Sequence, residues 1–407
     1  MLKVKFQPMD ELFTKEIAPL PTAMNQQGTI LVTCGMGISP VLRQELIDLG
    51  YQPQKVGPLN IELLGSFSDC MHLNLHLRTA TKVLWRIKRF RAPDPDHLYH
   101  AVSKIPWEDL INADGYVSIT SHINNRFILD TRFGNQKVKD AIVDRMSSQK
   151  GRRPDSGPKR DATVLYLHWL NEECNLYIDT SGETISKHGY RRIPFKAPLR
   201  ESLAAALIKS TAWTPGMPLI NPMAGSGTLA IEAALIATNI PPGLLRSNFG
   251  FMHIKNYQKD QWESLKADAR KTIRKETGNT IIINDKSLEA IRAAKKNAQW
   301  AGVADLIEFH HGDFTKVKIP EPPGVIILNP EYGTRLGEAR QLAGIYSQIG
   351  DFFKSNCAGY RGYIFTGNPD LSKHIGLRSS SKKQFFNGKI ECRLLEYELY
   401  KGTKKNA

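Results

Sequence analysis

The chain has 407 residues, 41% of them hydrophobic and 23% charged. That mix excludes wholesale disorder, and the length exceeds one ordinary domain. Its 55 Lys plus Arg against 40 Asp plus Glu leave a net charge of +15, which favours a polyanionic partner, nucleic acid first, although such an excess also serves solubility.

The five cysteines, Cys34, Cys70, Cys174, Cys357 and Cys392, are scattered and form no CxxC pair, which argues for a reducing compartment rather than a disulfide framework. Residues 1–27 carry three prolines and little periodicity and read as an N-terminal extension. Charges and prolines interrupt the apolar residues there, as they do not in a signal peptide, and no window approaches a membrane span. The expectation is a soluble cytoplasmic protein.

From Thr29, TILVTC is strand-like, and SPVLRQELIDLG predicts a helix capped by Ser39, with Pro40 at its first position and its end at Gly50. NIELLGS (60–66) reads as a strand and 68–79 as a helix, while VLWRIKRF alternates Val83, Trp85 and Ile87 with Arg86 and Lys88, as a half-buried strand does. Together they suggest a small α/β layer over 28–91.

Residues 92–190 continue with strand-like YVSITSH and ATVLYLHW. Between them, KVKDAIVDRM puts Val138, Ala141, Ile142 and Met146 on one helical face. Lys150 to Arg160 is basic and rich in chain breakers, so it fits an exposed loop able to approach phosphates, and equally a solvated connector.

From about 191 the texture changes to alternating strands and helices, the pattern of a mainly parallel sheet covered on both faces. Helices are expected at 198–211, 228–238, 258–276, 287–300 and 339–355, and strands at 218–222, 280–285, 305–310, 324–329 and 360–366. The closing IECRLLEYELY reads as a strand with a bulge where Leu394 and Leu395 break the alternation. Residues 191–407 hold 32 Lys plus Arg and 19 Asp plus Glu, which is +13 of the +15.

Four strand ends in this part carry candidate chemistry. LINPMAGSGTLAIEAAL runs from a strand ending at Asn221 through Gly225-Ser226-Gly227 into a helix near Thr228. Its glycines admit a close ligand and its free amides suit an anionic group, though the same turn also serves plain structure. Gly227-Thr228-Leu229 lacks the Lys of a phosphate-binding P-loop, and the next acidic strand end comes too late for a dinucleotide site. That end is Asp285, placed to accept hydrogen bonds from both hydroxyls of a ribose or to cap the helix near Ser287. Asp313, after LIEFH, sits at a third strand end and can meet an adenine edge. VIILNPEYGTRL empties a fourth strand into Asn329-Pro330-Glu331-Tyr332, where the Asn329 oxygen and the Pro330 carbonyl can accept the two hydrogens of an exocyclic amine while Tyr332 stacks on its base.

NPMAGSGT, Asp285, Gly312-Asp313 and NPEYG resemble the ordered motifs of class I S-adenosylmethionine-dependent amino-methyltransferases. APLRESLAAALI, IEAALIATNIPPG and IDTSGETISKHGYR further resemble the THUMP-domain family of bacterial RNA guanine methyltransferases, a likeness that spans roughly 28–402. It implies an α/β architecture: a ferredoxin-like unit (28–91), a THUMP RNA-binding unit mixed with it (92–190) and a Rossmann-like methyltransferase domain (191–407). It also implies S-adenosyl-L-methionine as cofactor, no metal, and structured RNA as partner, large-subunit (23S) ribosomal RNA or the assembling subunit in particular.

By position, the likeness implies Asn221, Pro222, Met223, Ala224, Gly225, Gly227 and Thr228 at the methionine end, Asp285 with Lys286 at the ribose, and Asp313 with Phe314 at the adenine. Asn329, Pro330 and Tyr332 are implied as the catalytic turn, and Arg132, Lys150, Arg152 and Arg153 as the RNA grip. Glu331 stands where the family usually has a second proline, and Asn221 where Asp is usual. The rival expectations are transfer RNA guanine methylation, DNA adenine-N6 methylation, a non-catalytic RNA-binding assembly factor and, remotely, a nicotinamide-dependent oxidoreductase.

Overall fold

The computed structural model describes residues 27–400, apart from 127, 129, 196–197, 256, 276–277, 279 and 334–337, and gives only the backbone course of 338–341. All but the last residue of the extension expected over 1–27 lies outside that range.

Two sheets organise the described residues. The first has eight strands in the order β2-β3-β1-β4-β8-β7-β5-β6: β1 (Gly28–Cys34), β2 (Pro53–Val56), β3 (Asn60–Gly65), β4 (Ala80–Arg91), β5 (Tyr116–Asn124), β6 (Asp155–Ser156), β7 (Thr163–Leu170) and β8 (Glu173–Asp179). Helices α1 (Ser39–Asp48), α2 (Phe67–His76), α3 (Pro95–Ser103) and α4 (Thr131–Lys150) intervene. Residues on both sides of position 91 therefore share one sheet, because the twelve-residue β4 pairs with β1 along one edge and β8 along the other.

Ser39, expected to cap α1, lies inside it and donates to the Gly57 carbonyl at 2.6 Å, so α1 starts without a side-chain cap; α2 and α3 start on caps. The Ser66 hydroxyl and the Asp69 carboxylate cap α2 reciprocally, and Asp94 accepts from the amides of Asp96 and His97 at the start of α3. Each such cap contributes about 1 kcal/mol.

The second sheet has seven strands in the order β11-β10-β9-β12-β13-β15-β14: β9 (Leu219–Asn221), β10 (Ile281–Asp285), β11 (Ile307–His311), β12 (Val325–Leu328), β13 (Arg361–Thr366), β14 (Ser381–Asn387) and β15 (Ile390–Glu398). Its helices are α5 (Glu201–Lys209), α6 (Thr228–Ala237), α7 (Lys259–Lys271), α8 (Leu288–Ala301), α9 (Glu338–Asn356) and α10 (Pro369–Lys373). Strands β9 to β13 pair in parallel, and Val325, Ile326, Ile327 and Leu328 are all wholly buried. Such strands read as unbroken apolar runs because helices cover both faces.

That double cover corrects one expectation. No bulge occurs at Leu394 and Leu395: β15 keeps register with β13 from Arg393 to Glu398 and with β14 from Ile390 to Glu396. The two leucines point to opposite faces, each into a separate core. The break in alternation marks a strand buried on both sides.

A buried polar cluster joins the two sheets. The Glu45 carboxylate accepts from the amides of Arg78 and Thr79, the Arg78 guanidinium donates to the Leu235 carbonyl at 3.2 Å, and Glu232 on α6 meets His188 at 2.8 Å and the Tyr190 hydroxyl at 2.7 Å. Burial lowers the Arg78 pKa, and the charges of Glu232 and Glu45 oppose that shift.

Candidate active site

The chain leaves β9 and builds outward through β10 and β11, then returns to the other side of β9 as β12. In open parallel sheets the crevice at such a reversal, beyond the carboxyl ends of the strands, is where ligands bind. The four predicted strand ends belong to β9, β10, β11 and β12.

At the end of β9, Asn221 is wholly buried, and its side-chain amide donates to the Ile327 carbonyl of β12 at 2.9 Å. The loop then turns through Gly225 (φ 54°) and Gly227 (φ 79°), both in the left-handed region open to glycine. The two differ in surroundings. A Cβ added at Gly227 would lie 2.9 Å from the Ala294 Cβ on α8, whereas one at Gly225 would meet nothing within 4 Å. Gly227 thus lets the loop seat on α8, and Gly225 faces open space, as a ligand cradle requires. Thr228, at the start of α6, is buried beside Ser226.

Asp285 does not cap α8; Ser287 does, accepting from the Ala290 amide. One Asp285 oxygen accepts from the Ser287 amide and the other from the Gly225 amide, both at 2.9 Å. The carboxylate therefore ties the glycine loop to β10 and keeps its remaining lone pairs for a ligand. Lys286 is exposed, and its carbonyl accepts from the His311 ring at 3.2 Å.

Asp313 is exposed. The amide and hydroxyl of Thr315 donate to one of its oxygens at 2.8 and 2.7 Å and hold its carboxyl below the usual range. Phe314 is turned into the second core, edge-on to Phe352 at 5.7 Å, so it supports this loop from beneath.

At the end of β12, Pro330 is buried, Glu331 exposed and Tyr332 half-buried. The Asn329 side-chain oxygen Oδ1 is buried and has no hydrogen-bond partner among the described residues, and the same holds for the Asn221 Oδ1. A buried acceptor left unsatisfied costs roughly 1–3 kcal/mol, so these two side-chain oxygens, at the ends of neighbouring strands, are candidate acceptors for a bound donor.

Tyr332 is held in place. Its hydroxyl accepts from Asn387 on β14 at 2.8 Å, its carbonyl accepts from Asn368 at 3.3 Å, and its ring lies so close over Gly367 that a Cβ there would sit 3.1 Å from it. Burial pushes the phenol pKa up, partly offset by the Asn387 donor.

Several of these positioning residues escaped the sequence reading. Asn284 donates to the Pro222 carbonyl at 3.3 Å and the Gly312 carbonyl at 3.0 Å, linking two loops of the crevice. Asn297 donates to Ser226 and Ile193 carbonyls and accepts from the Arg192 and Ile193 amides. Each is a lone amide on an apolar strand or helix face, and that was the available signal. Asn387 left none.

The four basic residues assigned to RNA do not converge. Arg132 begins α4, where Asp130 pairs with it at 2.6 Å, and Lys150 ends the same helix about 27 Å away at 1.5 Å per residue. Arg152 and Arg153 are exposed in the link from α4 to β6.

Comparison with known proteins points to a methyltransferase. The family model of the RMKL-like methyltransferase domain matches residues 188–396, that of the RlmL ferredoxin-like domain 29–84, and that of the THUMP domain 92–179. The chain is 36% identical over 379 residues to the ribosomal RNA large subunit methyltransferase K/L of Syntrophotalea carbinolica, covering 90% of this chain but 53% of that protein. It thus spans about half the length of relatives of that kind. It is 33% identical to slr0064 of Synechocystis sp., described as an RNA methyltransferase, over 90% of this chain and 96% of the relative. The structure of SMU.472, described as a methyltransferase complexed with SAH, superposes with a TM-score of 0.83 at 25% identity, covering 94% of this chain and all of that one.

Proposed function

The chain belongs to the RMKL-like methyltransferase family, and from that premise we propose that it uses S-adenosylmethionine to methylate the 2-amino group of a guanine in large-subunit ribosomal RNA, acting in the cytoplasm. The observation that carries this reading is the buried, unpartnered Asn329 oxygen beside the glycine loop. Bound in the crevice, the cofactor supplies an electrophilic methyl group. The residues present fit it: Gly225 leaves room, Asp285 and Asp313 retain acceptor capacity, and the Asn221 oxygen lacks a donor.

The amine of guanine is a weak nucleophile because its lone pair is delocalised into the ring. Asn329 and the Pro330 carbonyl accept its hydrogens and so localise that lone pair, and Tyr332, fixed by Asn387 and Asn368, orients the flipped base. Transfer of the methyl to the nitrogen would break its bond to the cofactor's sulfur, leaving a thioether, and the amine would release one proton to solvent. The units over 28–91 and 92–190 present the RNA, gripping phosphate and shape more than sequence.

The test is to map modified guanines in ribosomal RNA from cells with and without the protein. A 2-methylguanine that disappears with the gene and is restored in vitro by the purified chain supports the reading. Incorporation into transfer RNA alone, or none despite cofactor binding, overturns it.

A further inference from the structure

Helix α8 carries an exposed stripe that the reaction does not use. Arg292, Lys295 and Lys296 are all exposed and stand at i, i+3 and i+4, so they share one face. None of the three forms an ion pair with a described residue.

The other helices of this half mix paired cations with ones unpaired among the described residues, such as Lys259 and Arg270 on α7, and their paired cations follow one pattern. Lys266 pairs with Glu263 and Lys271 with Asp268 on α7, Lys354 with Asp351 on α9, and Lys373 with Asp370 on α10, each with an acid three residues before the cation. On α8, Glu289 precedes Arg292 by three residues and is not paired with it. One turn beyond Lys296, Trp300 remains 38% exposed, with the Arg192 guanidinium 5.1 Å over its ring. An exposed indole with one cation over its ring and three more along the same helix suits a polyanion that also carries flat rings.

The stripe is also close to the chemistry. Gly227 seats the glycine loop against Ala294, and Asn297 grips the Ser226 carbonyl at 3.3 Å, both from the opposite face of α8. A strand lying on the stripe is therefore within one helix diameter, about 10 Å, of the cofactor crevice.

We propose that the outer face of α8, with Arg192 and Trp300, is an RNA-docking surface of the methyltransferase half, holding the backbone on Arg292, Lys295 and Lys296 and stacking one base on Trp300. The occupant is RNA because the unpaired cations and the aromatic ring match phosphate and base together. This rests on the RNA reading above and extends it from the N-terminal units to the catalytic half.

The experiment measures binding of a 20-nucleotide single-stranded RNA of mixed sequence by fluorescence anisotropy across a salt series, using the full chain. Replacing Arg292, Lys295 and Lys296 together by Gln is expected to make the slope of log K against log salt shallower by about 2, since each phosphate contact on a single strand contributes about 0.7. Trp300→Ala is expected to weaken binding roughly tenfold with the slope unchanged. The paired cations are the control: Lys266→Gln with Lys271→Gln should leave the slope as it was.

An unchanged slope in the α8 variant overturns the proposal and points to an acidic protein as the occupant. An equal change in the control also overturns it, as general charge. Should the triple variant lose cofactor binding, Lys296→Gln alone decides, with an expected slope change of about 0.7. Because the readout is binding, an α8-dependent slope without methylation would defeat the functional reading and leave this one standing.

Discussion

Two strand ends show how differently a polar residue before a turn can be used. Strand β8 ends at Asp179, which is wholly buried, paired with Lys82 and accepting from the amides of Ser181 and Gly182. The turn behind it is equally satisfied: Thr180 and Ser181 bond Asn74, and the Thr180 carbonyl accepts from the Phe251 amide at 3.0 Å. A Cβ on Gly250 would sit 2.2 Å from the Asp179 carbonyl, so only glycine lets that segment pack here. Strand β12 is followed by Asn329, whose amide oxygen is just as enclosed and bonded to nothing. The first end is a latch between the two halves of the molecule, and the second, under the proposed function, is the acceptor for the substrate's amine. Burial alone does not separate them; satisfaction does.

The two ends should fail in opposite ways when substituted. Asn329→Ala should reduce methyl transfer by 10²–10³-fold or more, the scale of losing an oriented polar group from an active site. Thermal stability and cofactor affinity by calorimetry should hold, and retained turnover would remove Asn329 from the mechanism. Asp179→Ala should do the reverse, lowering stability in urea by roughly 3–5 kcal/mol because Lys82 is left without its partner, while the protein that remains folded keeps its turnover.

A finer test is Asn387→Ala, which frees the Tyr332 hydroxyl. Turnover should fall about tenfold, the order of one neutral hydrogen bond, with cofactor affinity unchanged. In a Tyr332→Phe background the same substitution should have no effect. The smallest expected signal comes from the cysteines. All five are buried, and burial pushes the thiols of Cys34 and Cys357 up to about 12. A thiol reagent at pH 8 should therefore react with none of the five in the native protein and with all of them after denaturation.

Much of the catalytic sheet was legible because its evidence is local. The apolar runs ending at Asn221, Asp285 and Asn329 became β9, β10 and β12, and helices expected at 228–238 and 287–300 formed at 228–237 and 288–301. Strand β8 was missed. Its sequence ECNLYID is buried at nearly every position, so it shows no alternation, and its Glu, Asn and Asp are weak strand formers. Strand β14 escaped for the opposite reason, since Ser381 to Gln384 are mostly exposed and polar at the edge of the sheet. At Leu394 and Leu395 the period was read correctly as broken, but the cause was cover on both faces.

By itself the amino-acid order determined which residue types stand at the ends of the parallel strands, because an apolar run followed by a polar turn is encoded within a dozen neighbours. Which of those polar groups are already satisfied depends on the folded surroundings. Asp285 meets Gly225 across 60 positions and Tyr332 meets Asn387 across 55, and the free Asn329 oxygen is defined by every neighbour that does not reach it. Hydrogen-bond satisfaction is a property of three-dimensional surroundings, and no window along the chain contains it.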